Sequence, residues 1–279
     1  MSVLAPLARF DAHALSELGD AALMDRVDTE FVVPRALLPE LLEAMRDHYS
    51  ALEIGGLRDF RYLNDYLDGP DHRFYRDHHV GRARRFKLRR RTYLDDGGSF
   101  LEVKRRTVRG RTVKVRAAFD VAGGGAAPGG FLARAGIGDA SRLRVVQRGA
   151  YRRVALADPA RGERLTVDRD LVFVGAAAGR TVALGPWAVI ELKQARRDGA
   201  SPFLRWARAR GVRPCPFSKY CMGVYLTGPE GLARNRFHET ARRVGLRRRR
   251  PSPTIGAPPR AGDPDRDPPF PSQRTRPLP

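Results

Sequence analysis

Cysteine and long apolar runs are scarce in this chain, and each scarcity excludes a class of protein. The two cysteines, Cys215 and Cys221, are too few for a disulfide framework or a cysteine zinc site, and they predict a reducing, cytoplasmic compartment. No run of about 18 apolar residues occurs, so we expect no insertion into a membrane. Residues 1–20 lack a basic stretch followed by an apolar one, so we expect no signal peptide.

Only five of the 52 basic side chains are lysine, and each lies in a short segment typical of a strand or motif. They are Lys87, Lys104, Lys114, Lys193 and Lys219. Arginine offers a rigid planar fork, whereas lysine is a compact, flexible point charge that can meet a single phosphate oxygen. Their retention in an arginine-rich chain suggests a site built around a highly charged anion.

Positive charge, by contrast, is abundant: the formal net charge is +21 over 279 residues. Composition divides the chain into a body, residues 1–246, and a proline-rich tail, residues 247–279, that we expect to be disordered. The tail holds eight arginines and three aspartates, a net charge of +5, so about +16 belongs to the body. Such an excess indicates a polyanionic partner: nucleic acid, an anionic membrane surface or a polyphosphate-like molecule.

Apolar spacing and helix-end signals predict two helices. One covers residues 31–49, with Pro34 in its first turn, and the other covers residues 201–210. Ser201 is the expected N-cap of the second helix and Gly211 its end. The glycine-rich stretch within residues 120–138 is predicted to be a flexible connector. It lacks the Gly-Lys-Ser/Thr of a phosphate-binding loop, so we assign it no phosphate role.

Five segments alternate with period two, which is the pattern of β-strands. They are residues 86–93, 100–106, 112–117, 164–168 and 189–193. One face of each segment is ionisable and mostly cationic, while the other is apolar. Like charges opposite one another repel, so an exposed sheet face of this kind is disfavoured. We predict a sheet closed into a barrel, with the polar faces inward around an anion and the apolar faces outward under helices.

Seven motifs follow one another in the body in a fixed order: RDHHVGRARRFKLRRRTY, FLEVKRR, TVKVR, YRR, ERLTVD, IELK and FSKY. In this order they resemble the VTC (polyphosphate polymerase) domain of the CYTH or triphosphate tunnel metalloenzyme superfamily, over residues 25–224. The resemblance implies an α+β fold, an eight-stranded antiparallel β-barrel tunnel with a charged lumen and helices packed outside. It also implies binding of ATP, another triphosphate or polyphosphate, together with Mn²⁺ or Mg²⁺.

The resemblance assigns roles to individual side chains. Phosphate contacts are implied for Arg76, Arg89, Arg91, Lys104, Lys114, Arg153, Arg164 and Lys219. A metal-ligand role is implied for Glu191. Strand alternation alone adds Lys87 and Lys193 to the same faces. Of these residues, Lys104, Lys114, Arg89 and Arg91 are the expected catalytic group, and the other cations are expected to bind substrate.

Two positions depart from the family pattern. Glu30 stands in the first strand, where the family commonly has lysine. It is either a second metal ligand or the mark of a lost phosphate subsite that weakens activity, and the second interpretation is slightly favoured. Pro216 stands three residues before Lys219, where polymerase members can carry a second lysine. This departure weakens the case for long-chain synthesis.

Other chemistry-bearing residues are interpreted structurally. Glu102 is expected to orient a neighbouring arginine, Ser218 to cap a helix and Trp187 and Trp206 to anchor the outer core. His78 and His79 are adjacent and would point to opposite sides of an extended segment, so we expect them to form hydrogen bonds rather than share a metal.

The function predicted is a cytoplasmic, metal-dependent transfer of the terminal phosphate of a nucleoside triphosphate, with polyphosphate synthesis from ATP as the first choice. The alternatives are a triphosphatase or polyphosphatase in the same tunnel, a catalytically weak polyphosphate-binding module, and nucleic-acid binding through the basic body. The aromatic residues are not interleaved with basic ones, so specific nucleic-acid binding is not expected.

Overall fold

The computed structural model describes residues 3–18, 27–109, 111–119, 130–177 and 179–246. The tail and the first ten residues of the glycine-rich connector lie outside the described residues. Eleven strands are found in these ranges: β1 Ala12–His13, β2 Val27–Pro34, β3 Ser50–Leu52, β4 Phe60–Asp68, β5 Arg85–Tyr93, β6 Ser99–Arg106, β7 Thr112–Ala118, β8 Arg144–Asp158, β9 Glu163–Gly175, β10 Thr181–Ala183 and β11 Trp187–Gln194.

The described residues also form six α-helices: α1 Leu38–Met45, α2 Arg73–His79, α3 Phe131–Arg134, α4 Pro202–Ala209, α5 Lys219–Thr227 and α6 Asn235–Arg243. All five predicted strands are confirmed within β5, β6, β7, β9 and β11. The predicted helix at residues 201–210 is confirmed as α4, with the Ser201 hydroxyl accepting a hydrogen bond from the amide of Leu204.

The predicted helix at residues 31–49 is wrong over its first part. Residues up to Pro34 belong to β2, and a 3₁₀ turn, Arg35–Leu37, precedes α1. Phe31 and Val33 alternate into the core beneath α1 and α4, while β2 pairs along its full length with β11. Sheet pairing thus overrides an apolar spacing that suits either structure.

Eight strands form a continuous antiparallel path in the order β2-β11-β9-β8-β4-β5-β6-β7. The α+β class is therefore confirmed, but closure into a barrel is wrong, because no pairing joins β7 to β2 among the described residues. The free edge of β2 is occupied instead by the segment after α4. The Cys215 amide donates to the Glu30 carbonyl oxygen at 2.8 Å, and Phe31 forms a bridge with Pro214.

The sheet nevertheless curls so that its two ends approach each other. The Lys104 ammonium on β6 lies 3.4 Å from the Asp28 carboxylate on β2, although five strands separate β2 from β6 along the path. The result is an open channel whose last side is crossed by side chains rather than by backbone hydrogen bonds.

Helices cover most of the outer face of this channel. α1 and α4 pack over β2, β11 and β9, and Trp206 of α4 belongs to that core, as predicted. The prediction is wrong for Trp187, which is partly buried against a second apolar cluster that includes Val189, on the same face of β11 as Glu191. Apolar residues of β5 and β6 pack against α3. The prediction that the apolar strand faces are buried under helices is wrong at β7, because Val113 and Val115 are 41% and 38% exposed.

α5 corrects the prediction that all helices lie outside. Tyr220 of α5 stacks on Tyr66, which is paired in register with Arg89 on the inner face, so α5 occupies the concave side of the sheet. Its residues from Tyr220 to Thr227 are all buried. The buried Asp68 carboxylate fixes the helix by accepting from the Tyr220 hydroxyl at 2.5 Å and from the amides of Phe74 and Tyr75 at 3.0 Å.

No helix in the described part of the chain has the length and apolar character needed to cross a membrane.

We predict that Gly223→Ala will lower the free energy of unfolding by about 2 kcal/mol, because an added Cβ overpacks a filled interior. That Cβ would stand 2.5 Å from Cδ of Gln147, whose side chain is fully buried on β8. Gly138→Ala is the matched control, since nothing lies within 4 Å of its Cβ position. Urea denaturation of both variants measures the difference, and equal stability would show that α5 does not press on the sheet at Gly223.

Candidate anion-binding channel

Three lysines stand in line on the inner face of the channel. Lys87 on β5 is paired in register with Lys104 on β6, and Lys104 with Lys114 on β7. Residues directly opposite each other in an antiparallel pair have side chains on the same face, and like charges there are destabilising. The structure therefore brings together three of the lysines predicted for the site, and they form a row with excess positive charge.

The neighbouring row is organised by a buried carboxylate, Glu102. It accepts from Arg89 Nε at 2.7 Å and pairs with the Lys114 ammonium at 2.7 Å. Burial alone would raise the pKa of Glu102, but Arg89, Arg91 and Lys114 outweigh it and hold the pKa well below its usual range. The expectation that Glu102 orients an arginine is confirmed.

Tyrosines that the sequence reasoning missed support the arginines deeper in the channel. Tyr62 and Tyr151 stack with ring centroids 5.3 Å apart. Arg91 donates to the Tyr151 hydroxyl at 3.1 Å, and its guanidinium lies 5.0 Å from the Tyr62 ring centroid. Arg153 lies over both rings, at 5.3 and 5.4 Å. The two aromatic faces hold the guanidinium groups in fixed orientations.

Asp168 connects the sheet to α5. Its carboxylate is fully buried, binds Arg153 through two hydrogen bonds of 2.5 and 2.7 Å, and pairs with the Lys219 ammonium at 2.5 Å. Burial would raise the pKa of Asp168, but the two cations lower it to about 2. Lys219 is the first residue of α5, and the Ser218 hydroxyl caps that helix by accepting from the Cys221 amide at 3.3 Å, as predicted.

Two carboxylates face each other at the β2 side of the channel. Glu30 is paired in register with Glu191 of β11. Burial and the nearby Glu191 raise the pKa of Glu30, although Lys87 and Lys104 oppose the shift. Glu191 forms an ion pair with Lys193, and burial is outweighed by Lys193, Arg153 and Lys219, which hold the pKa of Glu191 well below its usual range.

The donor set at Glu30 and Glu191 fits a hard divalent cation that keeps water and phosphate ligands. The described residues contain no group of three or more histidine, cysteine or acidic side chains arranged to hold a metal on their own. Mg²⁺ and similar ions are commonly bound by one or two protein carboxylates together with substrate phosphate oxygens. Two facing carboxylates beside a row of cations match that pattern.

The remaining predicted residues are Arg164 and Arg76. Arg164 is opposite Lys193 across β9 and β11, so both lie on the inner face. Arg76 is on α2, where its side chain is 55% exposed and pairs with Asp71 at 2.8 Å. His78, two residues later in α2, contacts the Phe86 carbonyl oxygen at 3.1 Å, so Arg76 points away from the channel wall.

The histidines form hydrogen bonds as expected, but for a different geometric reason. They lie in α2 and not in an extended segment. His79 contacts the Asn235 side chain at 2.6 Å. Burial, followed by Lys87 and Arg85, lowers the pKa of His78 to about 3, so it is neutral near pH 7.

Comparison with protein-family models matches the VTC domain to residues 25–122 and 138–227. The match covers more than half of the chain, and this protein therefore belongs to the VTC-domain family. The sequence resemblance is confirmed, and the unmatched interval falls on the glycine-rich connector.

Solved structures with similar folds are remote in sequence. A candidate adenylate cyclase from Bacillus halodurans is 12% identical, with 71% of this chain and 98% of that chain covered and a TM-score of 0.49. A candidate adenylyl cyclase from Hippeastrum, described with a dominant triphosphatase activity, is 13% identical, with 71% and 94% covered and a TM-score of 0.44. No curated protein sequence matches this chain.

Asp168→Asn should lower the free energy of unfolding by about 3 kcal/mol at pH 7, because it leaves Arg153 and Lys219 buried without their counter-charge. The folded pKa of about 2 lies below the ordinary value, so the carboxylate stabilises above about pH 4 and its contribution is lost as pH falls toward 2. The difference in the free energy of unfolding between wild type and Asp168→Asn should therefore decrease by about 2 kcal/mol as the pH falls from about 4 to 2.

The control for this measurement is Asp71→Asn, which breaks the exposed pair with Arg76. A solvent-exposed pair contributes about 0–1 kcal/mol, so this variant should stay close to wild type throughout. The role given to Asp168 would be contradicted if Asp168→Asn lost as little unfolding free energy as the control. It would also be contradicted if the loss became larger in acid.

Proposed function

We propose that this protein is a metal-dependent phosphotransferase that holds a nucleoside triphosphate or polyphosphate in its cationic channel, and that its reaction is polyphosphate synthesis from ATP. The observation that carries the proposal is the row formed by Lys87, Lys104 and Lys114, set beside Arg89 and Arg91 in a VTC-family chain. A row of facing cations is costly in a folded protein unless an anion neutralises it.

The geometry supports phosphoryl transfer rather than covalent catalysis. In phosphoryl transfer the charge is spread over the oxygens of the moving group, so catalysis is mostly positioning and electrostatic stabilisation. Glu102 and the tyrosines fix Arg89 and Arg91 before substrate arrives, and donors that are already oriented need no reorganisation during the reaction. Lys104 and Lys114 extend from the open side and can follow the phosphate chain.

Glu30 and Glu191 would hold the Mn²⁺ or Mg²⁺. The bound ion would neutralise charge on the phosphate oxygens and fix their orientation. We favour metal ligation by Glu30 over a lost phosphate subsite, because it is paired in register with Glu191, and each of the other channel carboxylates named above pairs with a cation.

The proposed compartment is the cytoplasm, since both cysteines are free and buried.

A triphosphatase in the same channel is the second candidate, and one observation favours it. Beyond Lys219 the inner face is filled by an apolar cluster that includes Phe217, Val189 and Met222. A growing polymer would have to leave through the opposite end, near Lys87, whereas a hydrolase needs no separate exit.

Incubation of the full chain with ATP and Mn²⁺ tests both candidates, with polymer detected on gels and free phosphate by colorimetry. We expect polymer, and Lys104→Ala should reduce its formation by about 100-fold, a loss typical of removing one oriented group that stabilises transition-state charge. Arg205→Ala, on the exposed side of α4, is the control and should retain full activity. Phosphate without polymer would identify the triphosphatase, and tight polyphosphate binding without turnover would identify a binding module.

The role of Glu30 is tested by Glu30→Gln and Glu30→Lys together. If Glu30 is a metal ligand, Glu30→Gln should weaken Mn²⁺ binding by at least about tenfold in the presence of tripolyphosphate, because half of the carboxylate pair is lost. Glu53→Gln, which removes the charge of a carboxylate paired with Arg58, is the control. Unchanged Mn²⁺ binding in Glu30→Gln, with tighter polyphosphate binding in Glu30→Lys, would favour the lost-subsite interpretation instead.

A further inference from the structure

The cationic face of the channel continues past the lysine row to the rim of the sheet. Arg85 of β5 is paired in register with Arg106 of β6, one step beyond the Lys87 and Lys104 pair on the same face. This is a second pair of directly opposed like charges, which is destabilising without an anion. Arg106 is exposed and Arg85 partly so, so both guanidinium groups reach solvent.

A third arginine joins this rim from α6. Arg236 and Arg85 are both anchored on residues 79–82 at the end of α2, and burial, Arg106 and Arg236 together lower the pKa of Arg85. Arg236 donates to the His79 carbonyl oxygen at 3.2 Å, and Arg85 donates to the Arg82 carbonyl oxygen at 2.7 Å. These carbonyl groups hold the side chains in place but do not neutralise them.

The space beside Arg236 is kept open by Gly81. This residue has φ +76, and a Cβ there would stand 2.6 Å from Nη1 of Arg236. The end of α2 therefore leaves room for the guanidinium against the helix terminus. The position of Arg236 is set by the fold rather than by a long-range ion pair.

The length of the cationic face exceeds what a triphosphate can use. Arg91 and Arg85 are six residues apart on β5. An extended strand rises about 3.3 Å per residue, so these two residues are separated by about 20 Å. Three phosphorus atoms joined by two bridging oxygens cannot span that distance. A longer chain of phosphates can contact both the buried arginines and the rim.

We propose that Arg85, Arg106 and Arg236 form a rim site for polyphosphate chains longer than a triphosphate. The site contacts the part of the chain that emerges from the channel, and it makes the protein prefer long chains over short ones. This inference rests on the proposed function, since the channel must first hold the end of the chain. It identifies the polymer, rather than a free triphosphate, as the molecule that the whole face is shaped to bind.

The test compares wild type with the triple variant Arg85→Gln, Arg106→Gln, Arg236→Gln, using calorimetry with tripolyphosphate and with long-chain polyphosphate at several salt concentrations. The rim variant should bind tripolyphosphate within twofold of wild type and bind the long chain about tenfold more weakly or worse. For the long chain, a plot of the logarithm of the binding constant against the logarithm of salt concentration should be shallower in the rim variant by about 2 in slope. Each phosphate contact on a single strand contributes about 0.7 to that slope, and three contacts are removed.

The matched control removes three exposed arginines elsewhere, Arg197, Arg205 and Arg208, of which the last two also donate to backbone carbonyls. The inference is overturned if the control and rim variants lose affinity for long-chain polyphosphate equally, or if the rim variant loses no such affinity. It is also overturned if the rim variant loses affinity for tripolyphosphate as much as for the long chain. Tighter binding of single-stranded DNA than of polyphosphate, abolished in the rim variant, would also overturn it. Failure of wild type to bind tripolyphosphate would remove the proposed function and the rim site with it.

Discussion

Repulsion between cations that face one another across β5, β6 and β7 is the constraint on which the rest of this structure depends. The side chains of one sheet face cannot move apart once the register is fixed, so Lys87, Lys104 and Lys114 remain in line. Buried carboxylates neutralise part of that positive charge. Glu102 lies between Arg89 and Lys114, and Asp168 lies between Arg153 and Lys219, so each acid is shared by two cations. The fold compensates enough charge to be stable and leaves the remainder for an anion.

The same constraint explains why the acids are placed unevenly. Glu102 and Asp168 are almost fully buried and ion-paired, and their pKa values are lowered by the cations around them. Glu30 differs, because its nearest facing partner is another carboxylate and its pKa is raised. Two facing acids, of which Glu30 has no ion pair of its own among the described residues, are not an arrangement that ion pairing alone would select. The proposed divalent cation, shared by the two carboxylates, would account for this arrangement.

Sequence reasoning located the wall of the site because alternation with period two directly reports which side chains share a face. It found β5, β6, β7, β9 and β11 by this signal, and with them most of the cations. It missed β4, where Asn64 and Asp65 are both buried and polar residues fall on both faces. Tyr62, which orients two arginines, was missed with its strand.

Two further errors could not have been avoided from the pattern of one chain. α5 is buried on nearly every side, and such a helix gives no amphipathic signal to show which face of the sheet it meets. Closure of the barrel depends on which segment reaches the free edge of β2. Cys215 takes the hydrogen-bonding position there, and that choice is made by the path of the chain after α4. Local periodicity carries no information about such long-range competition.

Open edges and charge together determine how the channel responds to an anion. The contact between Lys104 and Asp28 crosses the unclosed side through two side chains only, with a partly exposed ammonium group. An anion bound to the lysine row competes with Asp28 for Lys104, while it also screens the repulsion among the three lysines. Anything that binds the folded chain and not the unfolded one stabilises it by mass action. The closed side of the channel is therefore held by backbone pairing and buried ion pairs, whereas the open side would be completed by the anion that we propose it binds.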